Sequence, residues 1–412
     1  MGEGLSAFTA ILYHFNRKRA IKKIHLANET AKNVKMLGRI SGSQLFANTC
    51  MENNIISGAL PDVRAELVIE DCRKAQDAGL PVIIIHAGNK TLESLFANSF
   101  LRSGGIIINK MWDYYAPILR RNATEATQLL AEASAVTRYS LDSDAAAYIN
   151  SMIQILHFKN RPATVRHLSI CPHEQLNMII ANLEKNHIIT AIKADNIRSN
   201  LSSTETRNLV KQYLQSLAVS DILAGGNYSR CISIKDVIDT AKICIFDIAS
   251  YSNQALLGIM LAELNEAAQA GKIFKVIFDS TGFLATNETI LNTLKSNNFN
   301  WTLSMPDFSC IADEKSMNNW LSLSDKTILF SQKISTSDAI SKAIGNYDHI
   351  DITGSDAGSN TFGKMGYHFG RNTTINTSIK RQPVIKGEKI ANMDERQFIL
   401  IERNSIYVGE LL

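Results

Sequence analysis

Val82-Ile83-Ile84-Ile85-His86-Ala87-Gly88-Asn89-Lys90-Thr91 is the stretch on which the reading of this chain turns. Four consecutive β-branched residues predict a strand buried on both faces, as in the interior of a parallel sheet. The strand runs into a Lys-Thr pair, and residues 90–102 then place Leu92, Leu95, Phe96 and Phe100 at helical spacing. Strand, loop, Lys-Thr and helix is the order of a phosphate loop, G-x-x-x-x-G-K-[ST]. In that loop the glycines let backbone N–H groups wrap the phosphates, Lys reaches the outer phosphates, and the hydroxyl holds Mg²⁺. Here the two glycine positions of the pattern hold Ile84 and Asn89, and Gly88, Lys90 and Thr91 remain as nucleotide-binding candidates.

Outward from this stretch, Ser103-Gly104-Gly105 ends the helix and Ile106-Ile107-Ile108 reads as a second strand. The unit is β-α-β with short connections, which predicts a directly paired parallel couple with a right-handed crossover. Residues 112–226 change to an almost wholly helical pattern, with helices expected over 123–136, 143–158 and 203–223. The β/α rhythm then resumes. Strands are expected at 243–248, 274–279, 301–305 and 327–330, helices at 253–270, 288–294 and 337–344, and a closing hairpin at 398–401 and 406–409. Residues 354–378, rich in Gly, Asn, Ser and Thr, read as a long loop. The fold expected is α/β: a RecA-like, mainly parallel sheet with helices on both faces, plus an inserted all-α domain. The divisions are 1–35, a basic amphipathic segment; 36–111 with 227–412, the nucleotide-binding-type domain; and 112–226, the insertion.

At 412 residues the chain can bury a large core, and 45% hydrophobic with 20% charged residues is ordinary for a globular protein. A net charge of +4 is too weak by itself to argue for nucleic acid. The six cysteines form no CxxC pair and several sit in apolar runs, which reads as reduced thiols in a cytosolic protein. No apolar run is long enough to predict a membrane-spanning helix. The apolar stretch Leu5–Phe15 followed by Asn16-Arg17-Lys18-Arg19 reads as a soluble amphipathic helix; peripheral contact of residues 5–23 with an anionic membrane is the alternative.

A nucleotide hydrolase needs a second acidic strand, and Asp279 closes Phe274–Phe278 where such an acid would hold Mg²⁺ through water. The carboxylate that would follow it and polarise the attacking water is replaced by Ser280. Loss of general-base help costs about 10²–10⁴-fold in rate. A second match to the loop pattern, Gly358 to Lys364, ends in Met365, which cannot ligate Mg²⁺, and is followed by glycines instead of a helix start. His167, Cys171 and His173 are ligand-type residues at close spacing, but no fourth ligand is near, so a helix end with ordinary side chains is expected, and no metal.

With these residues placed, the order of parts resembles the coupling proteins of type IV secretion and conjugation, the TraG/TraD-like branch of the FtsK/HerA-type ring-forming DNA translocases. The resemblance spans roughly residues 36–412. It includes the helical insertion after the second strand, the Ser233-Ile234-Lys235-Asp236 stretch before strand 243–248, and the acidic strand ending at Asp279. It also includes Thr302–Asp307, where Pro306 stands in place of the sensor Gln and Asp307 follows, and the closing run from Arg381-Gln382-Pro383 to the hairpin. Nothing matches the two transmembrane helices that such proteins carry; residues 5–23 stand in their place.

The loop glycines, the second acid and the sensor Gln are altered together. The resemblance so altered implies a pseudo-ATPase scaffold or adaptor in which Asp279 is vestigial and no cofactor is expected. It would dock on secretion or conjugation machinery, including an active ATPase, and receive DNA or protein cargo through the all-α domain. It would lie in the cytoplasm or at the cytoplasmic face of the inner membrane, as a monomer or oligomer. Two alternatives stay open: an ATP- and Mg²⁺-dependent translocation motor with an atypical loop, and a nucleic-acid or effector-binding module.

Overall fold

The computed structural model describes residues 18–46, 51–109, 111–223, 228–249, 253–279, 294, 299–311, 316–363, 366–402 and 405–412, with 352–376 as backbone only. Fourteen strands are named in chain order: β1 (Val34–Ile40), β2 (Asn54–Ser57), β3 (Val82–His86), β4 (Ile106–Ile108), β5 (Tyr114–Tyr115), β6 (Cys231–Ile232), β7 (Ile243–Asp247), β8 (Lys275–Asp279), β9 (Asn300–Met305), β10 (Lys326–Leu329), β11 (Asn346–Gly363), β12 (Gly366–Pro383), β13 (Gln397–Glu402) and β14 (Ser405–Leu411).

Ten of them make one sheet in the order β1-β14-β13-β10-β2-β9-β8-β3-β7-β4. All neighbouring pairs are parallel except those that β13 makes with β10 and β14. The expected α/β sheet is present, and so is the closing hairpin. Every residue of β3 and β8 is buried, the apolar runs Val82–Ile85 and Val276–Phe278 together with the polar residues at the strand ends. Alternation along β3 splits the core in two. Ile83 and Ile85 face one apolar cluster, while Val82 and Ile84 face another with Phe96 and Phe100.

β3 and β4 do not pair with each other. β7 lies between them, in parallel register with both. The helix Lys90–Phe100 that joins them is about 10 Å wide with its side chains, about two strand spacings, so one crossover spans an intervening strand. β7 arrives some 140 residues later in sequence and is apolar from Ile243 to Phe246, so it is stable only between two neighbours.

Between β4 and β7 lie the helices Ala123–Ser134, Ser143–Phe158, Val165–Ser169, Leu176–Lys185, Ala191–Asn200 and Thr204–Ala218, with β5 and β6 paired as a small separate sheet. Most start on side-chain caps; Asn122, Asp142, Thr164, Thr190 and Ser203 each accept a backbone N–H of the first turn. The Ser233–Asp236 stretch closes as a capping box at the start of helix Ile234–Asp239.

The described residues between 354 and 378 form no loop. They are the outer part of a ribbon in which β11 and β12 pair antiparallel from Asn346↔Pro383 to Gly363↔Gly366. Local antiparallel pairing satisfies backbone groups whatever the side chains are, and Tyr367, Phe369, Thr373, Thr374, Ile375 and Thr377 supply strand propensity that the glycines concealed. The second loop-like match therefore runs along a strand as far as Gly363, not into a helix. The helix expected at 288–294 falls almost wholly outside the described residues, as do Ser280 and residues 5–17.

Candidate functional site

The carboxyl ends of the parallel strands meet in one row. The register sets Asp247 beside His86, His86 beside Asp279 and Asp279 beside Ser304. This is the edge of an open α/β sheet where ligands bind. β3 continues through His86, so Ile84, the first glycine position of the loop pattern, is a buried mid-strand residue and not part of a loop. Only Ala87, Gly88 and Asn89 connect the strand to helix Lys90–Phe100. Gly88 makes the turn at φ +70, a conformation that costs other residues strain.

Several polar groups of this turn have intramolecular partners. Gly88 N–H donates to Asp247 Oδ1 at 2.9 Å and Asn89 N–H to His86 Nδ1 at 3.1 Å. The Asn89 side chain caps the helix, its Oδ1 accepting from Leu92 N–H at 3.1 Å, while its Nδ2 donates to Asp279 Oδ2 at 2.7 Å. Asp279 Oδ1 accepts the Ser304 hydroxyl at 2.6 Å, and Asp279 is fully buried. Lys90 Nζ bridges Asp247 Oδ2 at 2.8 Å and Glu93 Oε2 at 2.9 Å, and Asn109 donates to the other oxygen of Glu93. Thr91 is half-buried in the first helical turn.

The electrostatics follow this wiring. Hydrogen bonds to Asp247 and then to Glu93 raise Lys90 above its ordinary range. Burial pushes Asp247 up, but the bonds from Lys90, Gly88 N–H and Ala249 N–H outweigh it and hold the carboxyl below its usual value. Burial drives His86 down, so its ring is neutral at pH 7. Arg64, also lowered by burial, donates to the carbonyls of Gly58 and Ala59, and its charge faces Asp279.

The sensor-like pair is divided. Pro306 is exposed, whereas Asp307 is buried and accepts from Ser309 N–H and hydroxyl, Lys333 N–H and the Thr336 hydroxyl. The neighbouring amide is Gln332, which accepts from Phe308 N–H at 2.8 Å and the Ser57 hydroxyl at 2.9 Å. Sequence reasoning missed Asp247, His86, Glu93 and Gln332. The signal for Asp247 was available: like Asp279, it is an acid closing an apolar strand.

A cleft of about 1180 Å³ opens over the turn, lined by Lys90, Glu93 and Asp247 on one side and by Gln212 and Gln215 of helix Thr204–Ala218, with Val219 just beyond it, on the other. His167 and His173 do not converge. His167 engages Pro162, Thr164 and Tyr228, and His173 pairs with Tyr148.

The phosphate site of a nucleotide hydrolase requires free loop N–H groups, an extended Lys and an acid open to Mg²⁺. The residues present do not fit that group. The turn is too short to wrap phosphate, an internal carboxylate sits on its N–H and its Lys, and Asn89 fills the gap between helix and Asp279.

No protein-family model matches this chain, and a search of curated proteins returns no match. Solved structures do match. One is a bacterial conjugative coupling protein, TrwBdeltaN70, at 12% identity and TM-score 0.56, covering 90% of this chain and 92% of that one. Another is the plasmid coupling protein TrwB in complex with ADP and Mg²⁺, at 11% identity and TM-score 0.55, covering 94% and 91%. Among the described residues, no helix is long and apolar enough to cross a membrane. With its parallel sheet, its helices on both faces and its all-α insertion, the chain has the RecA-like fold of the conjugative coupling proteins.

Proposed function

We propose that this chain is a non-catalytic relative of the type IV secretion coupling proteins, a scaffold or adaptor that helps recruit or hand over DNA or protein substrate to a secretion or conjugation machine. The observation that carries the reading is the Asp247 carboxylate. It accepts from Gly88 N–H and Lys90 together, the two donor types a phosphate would need. Asp279, the acid that would hold Mg²⁺, is in turn engaged by Asn89 and Ser304. The plasmid coupling protein TrwB, which has the same fold, is in complex with ADP and Mg²⁺. In this chain a nucleotide would have to displace a half-buried carboxylate, break the Asn89 cap and open a three-residue turn. The sheet and the helical insertion are present while internal groups occupy the phosphate position, which supports a surface used for binding. On this reading, residues 36–111 with 227–412 form the body and residues 112–226 the part that meets cargo.

The test is calorimetric titration of the chain with Mg-ATP, with mass measured in the same buffer. Nucleotide binding weaker than about 1 mM, or about 4 kcal/mol, and no phosphate release are expected. Micromolar binding with turnover that Lys90→Ala abolishes would establish an active motor instead.

A further inference from the structure

We propose that His86, Glu93 and Asp247 form a site for a divalent transition-metal cation of the zinc or manganese class, at the place now held by the Lys90 ammonium. The proposal builds on the reading that the turn takes no nucleotide, and the two fail separately because metal binding is measured without nucleotide.

One ligand atom from each of the three residues lies within 4.8 Å of the others. Zinc bonds of about 2.1 Å place tetrahedral ligands about 3.4 Å apart, so a modest contraction shared between side chains completes the set. Two of the ligands stand at the ends of adjacent strands and the third in the first turn of a helix, which are rigid supports.

Three further observations point to a cation. The Lys90 ammonium already sits 2.8 and 2.9 Å from the two carboxylates, marking the spot where they converge on positive charge. Its side chain is 70% exposed and can swing into the cleft when an ion enters, whereas the two carboxylate side chains are only 16% and 13% exposed. The fully buried His86 ring is under-satisfied: Nδ1 takes the Asn89 N–H, so the ring proton sits on Nε2, which has no partner among the described residues, and coordination through Nε2 moves that proton to Nδ1 at the cost of the Asn89 bond. Asn109 holds the second oxygen of Glu93, the kind of outer contact that orients metal ligands. One imidazole with two carboxylates suits zinc or manganese better than the all-oxygen set that magnesium prefers. The cleft leaves the remaining positions to water or to an anionic group of a partner.

The full chain, stripped of metal, should be titrated with ZnCl₂, with MnCl₂ and MgCl₂ in parallel. One zinc per chain is expected at the site, with magnesium weaker. Lys90→Met removes the competing cation and should tighten zinc about tenfold, since a like charge next to a bound ion opposes it. Asp247→Asn and His86→Ala should each weaken zinc by at least about 100-fold, and Asn109→Ala by about 10- to 100-fold. Glu93→Gln, a half-buried helix position, serves if His86→Ala does not fold. Zinc binding that persists unchanged in Asp247→Asn and Glu93→Gln, or no binding tighter than about 1 mM in Lys90→Met, overturns the proposal.

Discussion

Asp307 and Asp247 show how single carboxylates organise the carboxyl edge of this sheet. Burial alone would raise both, yet several hydrogen bonds hold each below its ordinary value. A carboxyl depressed in the folded state contributes stability that is complete above its unfolded value, near 4, and lost as pH falls through its lower folded value. Thermal stability should therefore be level near neutrality and decline below about pH 4. Asp307→Asn should flatten that decline and lower the neutral plateau, because four donors lose a charged acceptor. Melting temperature followed against pH checks this; an unchanged acid slope in the variant would show that Asp307 is not the source. These roles were only partly legible. Asp307 was picked out as a sensor position, but its actual partners, Lys333 and Thr336, come from a segment about 26 residues away.

At the level of elements, β8 is stabilised at both ends by buried polar groups. Asp279 closes its carboxyl end, and Lys275 opens it with an ion pair to Asp71 of helix Pro61–Asp77 at 2.6 Å, both side chains fully buried. Thr302 of β9 donates to the other oxygen of Asp71 at 2.6 Å. Removing one partner of such a pair strands a charge in the core. Lys275→Met should cost about 3–5 kcal/mol in urea denaturation, and adding Asp71→Leu should recover most of it. If the single variant costs under about 1 kcal/mol, the pair is not desolvated as the geometry says. Elements of this kind were readable where their apolar runs were long. Strands 106–108, 243–247 and 300–305 fall within a residue or so of expectation, and helix 143–158 matches. The β11–β12 ribbon was not readable, because Gly, Asn and Ser signal turns locally while cross-strand pairing is invisible in a single strand.

Over the whole molecule, the helical insertion is tied to the sheet through helix Gln254–Gln269. A side chain at Gly258 would put Cβ 2.5 Å from the Ala133 carbonyl oxygen and from Val136 Cγ2, so the two helices touch backbone to backbone there. Arg121 reinforces the contact, with Nη2 3.0 Å from buried Glu263 and Nη1 2.6 Å from Glu266, and Tyr115 donates to Glu263 at 2.8 Å. Gly258→Val should force this junction apart and cost about 1–3 kcal/mol by denaturation, whereas Gln269→Ala on the exposed end of the same helix should cost little. Equal effects from the two would mean that the junction tolerates repacking.

The sequence by itself determined the class of the fold, because buried parallel strands and amphipathic helices write their periods into the chain and need no knowledge of their neighbours. It also singled out Lys90, Thr91 and Asp279 by their likeness to a phosphate loop and its acidic strand. Which strands became neighbours was decided in three dimensions, since β7 had to travel across the insertion to lie between β3 and β4. The state of the site was decided there too. Asn89, Asp247 and Asp279 lie up to 190 residues apart in sequence, and only the packed sheet brings a carboxylate onto Gly88 and Lys90 and an amide onto Asp279. Hydrogen bonding and charge pairing act over a few ångströms of space, whatever the distance along the chain.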